Sequence, residues 1–139
     1  MVGYSGTPLA KKLGIGAGSK VCVIGAPPGY AQLFEPALKA AQLTALIAQD
    51  TDVVHIFTTK RSELDAHVKN ALARMRDDCA VWVSWPKQAA KLATDVTEDT
   101  VREIALPLGL VDVKVCAVDA VWSGLKLVVR RERRSPPKL

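Results

Sequence analysis

The run Lys20-Val21-Cys22-Val23-Ile24-Gly25 restricts the possible folds more than any other part of the chain. Its β-branched residues are apolar at consecutive positions, so both faces of the strand they predict need cover. A central strand of a parallel sheet meets that need, because helices pack on both of its faces. The run breaks at Gly25-Ala26-Pro27-Pro28-Gly29-Tyr30. Pro27 and Pro28 lack an N–H, so regular pairing cannot pass them. Two further runs read as strands: Val53 to Thr58 and Cys79 to Ser84, the latter stopped by Trp85-Pro86-Lys87.

Helical patterns separate these runs. Thr7 and Pro8 suit the start of a short helix ending at Gly14. A helix is expected from about Tyr30 to Ala41, with Pro36 as a kink or late start. Ser62 suits the cap of a helix reaching Met75, with Asp65 as its capping-box partner and Leu64, Val68, Leu72 and Met75 on one face. Asp95 or Thr97 caps a helix from about Glu98 to Leu106, whose apolar stripe is Val101, Ile104 and Ala105. Leu43 to Ala48 is a weak strand pattern. Val111 to Val118 and Leu125 to Arg131 form a terminal strand pair across Asp119 to Gly124. This alternation predicts a three-layer Rossmann-like α/β domain with a mostly parallel sheet of 5–6 strands and a C-terminal antiparallel hairpin strand. Residues 1–131 read as one domain and 132–139 as a basic tail of disordered composition.

Composition removes several functional classes. No apolar run approaches the roughly 18 residues that cross a bilayer. Met1 to Leu13 lacks the apolar core of a secretory signal, so a cytoplasmic location is expected. Cys22, Cys79 and Cys116 are odd in number, widely spaced and set among apolar residues, which suggests buried reduced thiols. No CxxC pair exists, and His55 and His67 are far from the cysteines, so no metal site is expected. The acids Asp95, Glu98, Asp99 and Glu103 are explained by a helix start. The formal charge is +5, and five bases (Arg130, Arg131, Arg133, Arg134 and Lys138) fall in the last ten residues against Glu132 alone. Without a groove-reading helix or an aromatic-rich sheet, this tail reads as a solvated charge run. Nucleic-acid binding through it is the least favoured alternative.

Three strings carry a resemblance to a known family: Tyr4-Ser5-Gly6-Thr7-Pro8-Leu9-Ala10-Lys11-Lys12-Leu13-Gly14-Ile15, Val81-Trp82-Val83-Ser84-Trp85-Pro86-Lys87, and the stretch from Leu106-Pro107-Leu108-Gly109 to Asp119. They resemble small bacterial proteins grouped as domain of unknown function 3052, and the likeness covers most of the chain. That resemblance implies no activity. The antiparallel last strand on a parallel sheet also looks like the class I methyltransferase arrangement. That fold implies a Gly-rich turn, often G-x-G-x-G, after the first strand, and an acid after the second strand to hold ribose hydroxyls. Here Pro27 stands where the middle glycine would be. The only acids between Gly25 and Val53 are Glu35, Asp50 and Asp52, none after a clear strand.

In open parallel sheets, ligands bind beyond the carboxyl ends of the strands. The residues expected there are Gly25, Gly29, Tyr30, Thr58, Lys60, Arg61, Ser84, Trp85, Lys87 and Trp122. Their rings, hydroxyls and positive charges suit a small anionic ligand. No nucleophile can be placed beside His55, which reads as a buried, hydrogen-bonded residue rather than a general base. Ser84 and Ser123 lack a G-x-S-x-G setting. No catalytic residue is therefore assigned and no cofactor is expected. The chain reads as a non-enzymatic binding or regulatory protein, with an S-adenosylmethionine-dependent methyltransferase as the alternative. The terminal hairpin leaves an edge strand open to pairing with a second copy, hence a homo-oligomer.

Overall fold

The structure, a computed structural model, describes residues 9–16, 18–30 and 41–133. Their core is a six-stranded sheet in the order β2-β1-β3-β4-β6-β5. The strands are β1 (Lys20–Ile24), β2 (Gln42–Thr44), β3 (Val53–Phe57), β4 (Ala80–Pro86), β5 (Leu110–Ala117) and β6 (Trp122–Val129). β1 to β4 are parallel, and β6 lies antiparallel between β4 and β5. The helices are α1 (Leu9–Leu13), α2 (Arg61–Arg74) and α3 (Glu98–Ala105). The expected mixed α/β sheet is present.

Side-chain alternation divides the core into two layers. Val54 and Ile56, Val81, Val83 and Trp85, and Leu125 and Leu127 point toward α2 and α3, where Leu64, Val68, Val101 and Ile104 meet them. Val21, Val53, Phe57 and Trp82 point the other way, toward Leu13, Ile15 and Tyr30. All five residues of β3 are buried. None of the helices among the described residues is long and apolar enough to cross a membrane.

Several local expectations change. The weak strand pattern at Leu43 to Ala48 becomes a shorter strand that starts earlier. It pairs Lys20 with Gln42 and Cys22 with Thr44 at the edge of the sheet. An edge strand needs no double apolar face, and Leu43 is 52% exposed. β4 continues through Pro86 instead of stopping at Ser84. The N–H of Lys87 donates to the O of Val121, the residue just before β6. Antiparallel alternation then turns residue 86 away from β6, toward the side where β3 has already ended. Pro86 therefore removes no ladder bond. β6 begins at Trp122, because Asp119 Oδ1 accepts the N–H groups of both Val121 and Trp122 and so tightens the turn. Gly124 sits inside β6, where an added Cβ would lie 3.1 Å from Val118 and 3.3 Å from Trp82.

Thr97 caps α3 in a capping box with Thr100, and Val101, Ile104 and Ala105 are buried as expected. α2 is capped differently. It starts one residue before Ser62, and no side chain of its own segment caps it. Asp95, on the loop before α3, instead accepts the Arg61 N–H at 2.6 Å, and Glu103 pairs with the Arg61 guanidinium. Asp65 pairs with Lys69. Ala71 is buried in the stripe where Leu72 is only half-buried. Of the cysteines, Cys22 and Cys79 are buried and Cys116 is half-buried. Residues 131–133 form a 3-10 turn. The expected Thr7 cap, most of the Tyr30–Ala41 helix and residues 134–139 of the tail lie outside the described residues.

The capping assignment predicts unequal costs. Asp95→Ala should destabilise the fold by about 1 kcal/mol, the usual worth of a helix cap, while Ser62→Ala costs less than half of that. Urea unfolding of the two variants checks this.

Candidate functional site

At the carboxyl end of β1 the chain turns at Gly25, with φ +70°. A Cβ at Gly25 would lie 2.5 Å from the carbonyl oxygen of Phe57, so β1 and β3 can approach this closely only with glycine. Gly29 is also left-handed, at φ +85°. The N–H of Tyr30 bonds back to Pro27 O at 3.2 Å, closing the turn on itself.

Behind the turn lies a buried polar chain. Tyr30 Oη is 3.1 Å from His55 Nδ1, and His55 Nε2 is 2.8 Å from Ser84 Oγ. His55 and Ser84 are fully buried and Tyr30 is nearly so. β3 and β4 make this contact possible by pairing Phe57 with Ser84, which places Ser84 diagonal to His55 on the same face. Burial lowers the His55 pKa to about 3, so the imidazole is neutral, and burial raises that of the Tyr30 phenol. A neutral imidazole has one donor and one acceptor nitrogen. Tyr30 and Ser84 therefore take opposite roles toward it, and the three groups form a single directed chain. The ring of Phe57 lies 4.3 Å from His55, 5.6 Å from Tyr30 and 5.1 Å from Trp122, centroid to centroid. Aromatic rings fill the volume under the turn.

The expected ligand-binding residues divide between the two faces of the sheet. Tyr30, Ser84 and Trp122 share the face of the aromatic cluster. Thr58 is buried beside them, its N–H donating to Ser84 O and its Oγ1 accepting the Lys60 N–H. Trp85 packs on the opposite face with Val96. Trp85 and Lys87 line a cavity of about 580 Å³ together with Gln88, Thr94 and Ser123. Arg61 lines another, of about 540 Å³, with Lys69 and Ile104 between α2 and α3. Lys60 is exposed at the start of α2. Neither cavity is lined by Gly25, Gly29, Tyr30, Thr58 or Trp122. His55 joins two of the expected residues. Its alternation with Val53 and Phe57 was visible in the sequence, but its neighbour Ser84 came from another strand.

The acids weighed against a ribose role lie elsewhere. β2 ends at Thr44, whose hydroxyl donates to Leu46 O. Asp52 is at the amino ends of the strands, where its carboxylate accepts the Lys20 N–H at 2.8 Å and an Arg76 N–H at 2.6 Å. These bonds hold its carboxyl below the usual range. Asp50 pairs with Lys20. Glu35 lies outside the described residues. Among the described residues no group of His, Cys, Asp and Glu is arranged to hold a metal ion. Glu98 and Asp99 pair with Arg102.

A family model described as "Protein of unknown function (DUF3052)" matches residues 10–131. No curated protein matches the chain. Several solved structures share its fold. The B. subtilis M1A22 tRNA methyltransferase TrmK aligns with TM-score 0.56 and 8% identity, over 95% of this chain and 71% of that one. A SAM dependent methyltransferase from Aquifex aeolicus aligns with TM-score 0.56 and 14% identity, over 87% and 88%. Aeropyrum pernix fibrillarin, in complex with natively bound S-adenosyl-L-methionine, aligns with TM-score 0.54 and 13% identity, over 86% and 73%. At such identities the likeness establishes the Rossmann-like methyltransferase fold and nothing finer.

Two outcomes follow from this geometry. Gly25→Ala should destabilise the protein by roughly 2 kcal/mol or more, through positive-φ strain and the clash with Phe57 O, read as a lower urea midpoint. His55 takes up a proton more readily unfolded, near pH 6.5, than folded, near 3. Its contribution is therefore complete above pH 6.5 and is lost as pH falls from there toward 3, at up to ~1.4 kcal/mol per pH unit. Stability of His55→Gln should fall less steeply over that window than that of the wild type, by close to one proton. Equal slopes would contradict the buried neutral imidazole.

Proposed function

The chain belongs to the DUF3052 family, whose description assigns no activity, and from that premise we propose a non-enzymatic binding or regulatory protein on a methyltransferase-like scaffold that does not take the methyl-donor cofactor. The observation that carries this is the end of β2. A cofactor-binding relative needs a carboxylate there for the ribose hydroxyls. This chain has Thr44-Ala45-Leu46-Ile47, and Asp50 and Asp52 are committed at the opposite ends of the strands. Among the described residues, the end of β2 supplies no carboxylate that fits the cofactor.

Two other features support the same reading. Pro27 and Pro28 remove amide donors from the turn where a pyrophosphate-like or carboxylate group would meet bare backbone. The Tyr30, Phe57 and Trp122 rings occupy the space under that turn. The Tyr30–His55–Ser84 chain is sealed from solvent and acts as a structural element. The small anionic ligand expected of such a module is better served by the cavity beyond β4. Lys87 supplies positive charge there, Gln88, Thr94 and Ser123 supply polar contacts, and the Glu98 carboxylate that also lines it is paired with Arg102.

The methyltransferase alternative rests on the fold shared with structures such as the fibrillarin that holds S-adenosyl-L-methionine. Isothermal titration with S-adenosylmethionine separates the two readings. The protein should give no saturable heat. Saturable binding in the micromolar range would overturn the proposal.

A further inference from the structure

The face of β5 and β6 that continues from the aromatic cluster carries an unusual set of charges. The β5–β6 register, shifted by a bulge between Asp112 and Lys114, places Lys114, Cys116, Trp122, Gly124 and Lys126 on it, with Lys126 paired to the buried Trp82 on its other side. Lys114 and Lys126 stand directly opposite each other in the antiparallel pair. Like charges in that position destabilise a sheet. Among the described residues placed on this face none is acidic.

A third lysine lies nearby. α1 ends against the neighbouring strand β4, where the Leu13 carbonyl accepts a bond from the Trp82 indole at 3.1 Å. Lys12, on the same helix, and Lys114 both exert their charge on the Cys116 thiol, although burial dominates and keeps its pKa raised. Lys114 is exposed, and Lys12 and Lys126 are half-exposed. Lys20, Arg61, Lys69, Arg76 and Arg102 each hold a carboxylate, whereas several other cations, Lys60, Lys87 and Lys91 among them, hold none among the described residues. Among the described residues Lys12, Lys114 and Lys126 hold none.

We propose that the Lys12–Lys114–Lys126 face is a docking surface for the phosphate backbone of a nucleic acid. Two cations facing each other on the sheet, with Lys12 of α1 beside them, match a chain of closely spaced phosphates, which can engage all three together and relieve the opposition of Lys114 to Lys126. The half-buried Trp122 packs edge-on against Phe57, so no free ring is offered for base stacking. The contact is therefore to backbone and independent of sequence. It is separate from the C-terminal basic run and does not depend on the cofactor question.

Fluorescence anisotropy with a labelled mixed-sequence single-stranded RNA tests this at several salt concentrations. The wild type should bind at low salt, weakening toward the 10⁻⁴–10⁻⁶ M range typical of non-specific contacts at physiological salt. Lys114→Gln/Lys126→Gln should bind roughly tenfold more weakly at low salt. Its slope of log affinity against log salt should be shallower by about 1.4, near 0.7 for each cation removed. Its Tm should match or exceed that of the wild type, because an unfavourable pair is gone. Arg131→Gln/Arg134→Gln, in the terminal run, should bind within about twofold of the wild type. No binding by the wild type at low salt would overturn the proposal. So would an unchanged salt slope in the lysine variant, or loss of binding in the arginine variant alone. Adding S-adenosylmethionine should leave every arm unchanged.

Discussion

β3 is buried along its whole length, and this constraint organises the rest of the molecule. A strand covered on both faces has no water to satisfy a polar side chain, and an unpaired polar group there costs a substantial part of the net stability. His55 sits in the middle of that strand. It must be neutral, and both ring nitrogens must find partners inside the protein. Tyr30 and Ser84 supply them. The arrangement resembles a catalytic chain, and it is buried along its length.

The turn after β1 is itself exposed at Gly25, Ala26, Pro28 and Gly29, and Tyr30 at its end is buried in the aromatic cluster. In a nucleotide-binding sheet this turn presents free amides to a ligand. Here Gly25 is needed for another reason, the close approach of Phe57 O. The prolines that follow stiffen the turn and remove donors. The glycines at the two ends of the turn look alike in either role. The difference lies in what stands under them, and under these stand Tyr30 and Phe57.

Much of the architecture was legible because strand chemistry is local. Val53 to Phe57 show their double burial in their own composition, Val21 and Cys22 are buried at the start of a run whose Val23 and Ile24 are half-buried, and Thr97 caps a helix whose stripe follows it directly. β2 was poorly legible because an edge strand needs no apolar pattern. Pro86 misled because its missing N–H matters only on a side with a partner strand. Ser62 looked like a cap, but Asp95, 34 residues from Arg61, does the work. Among the candidate site residues, the sequence placed Trp85 and Trp122 together at one rim. Alternation within paired strands sends them to opposite faces.

The sequence by itself determined the kind of sheet and helices α2 and α3, since each depends on residues adjacent in the chain, while the end of β2 at Thr44, away from Asp50 and Asp52, was set by its pairing with β1. Only the tertiary structure decided which groups meet: His55 with Ser84, Asp95 with the start of α2, Lys114 against Lys126. Those contacts depend on strand order and register. Both are set by the packing of the whole domain, and a shift of one residue would turn every side chain to the other face.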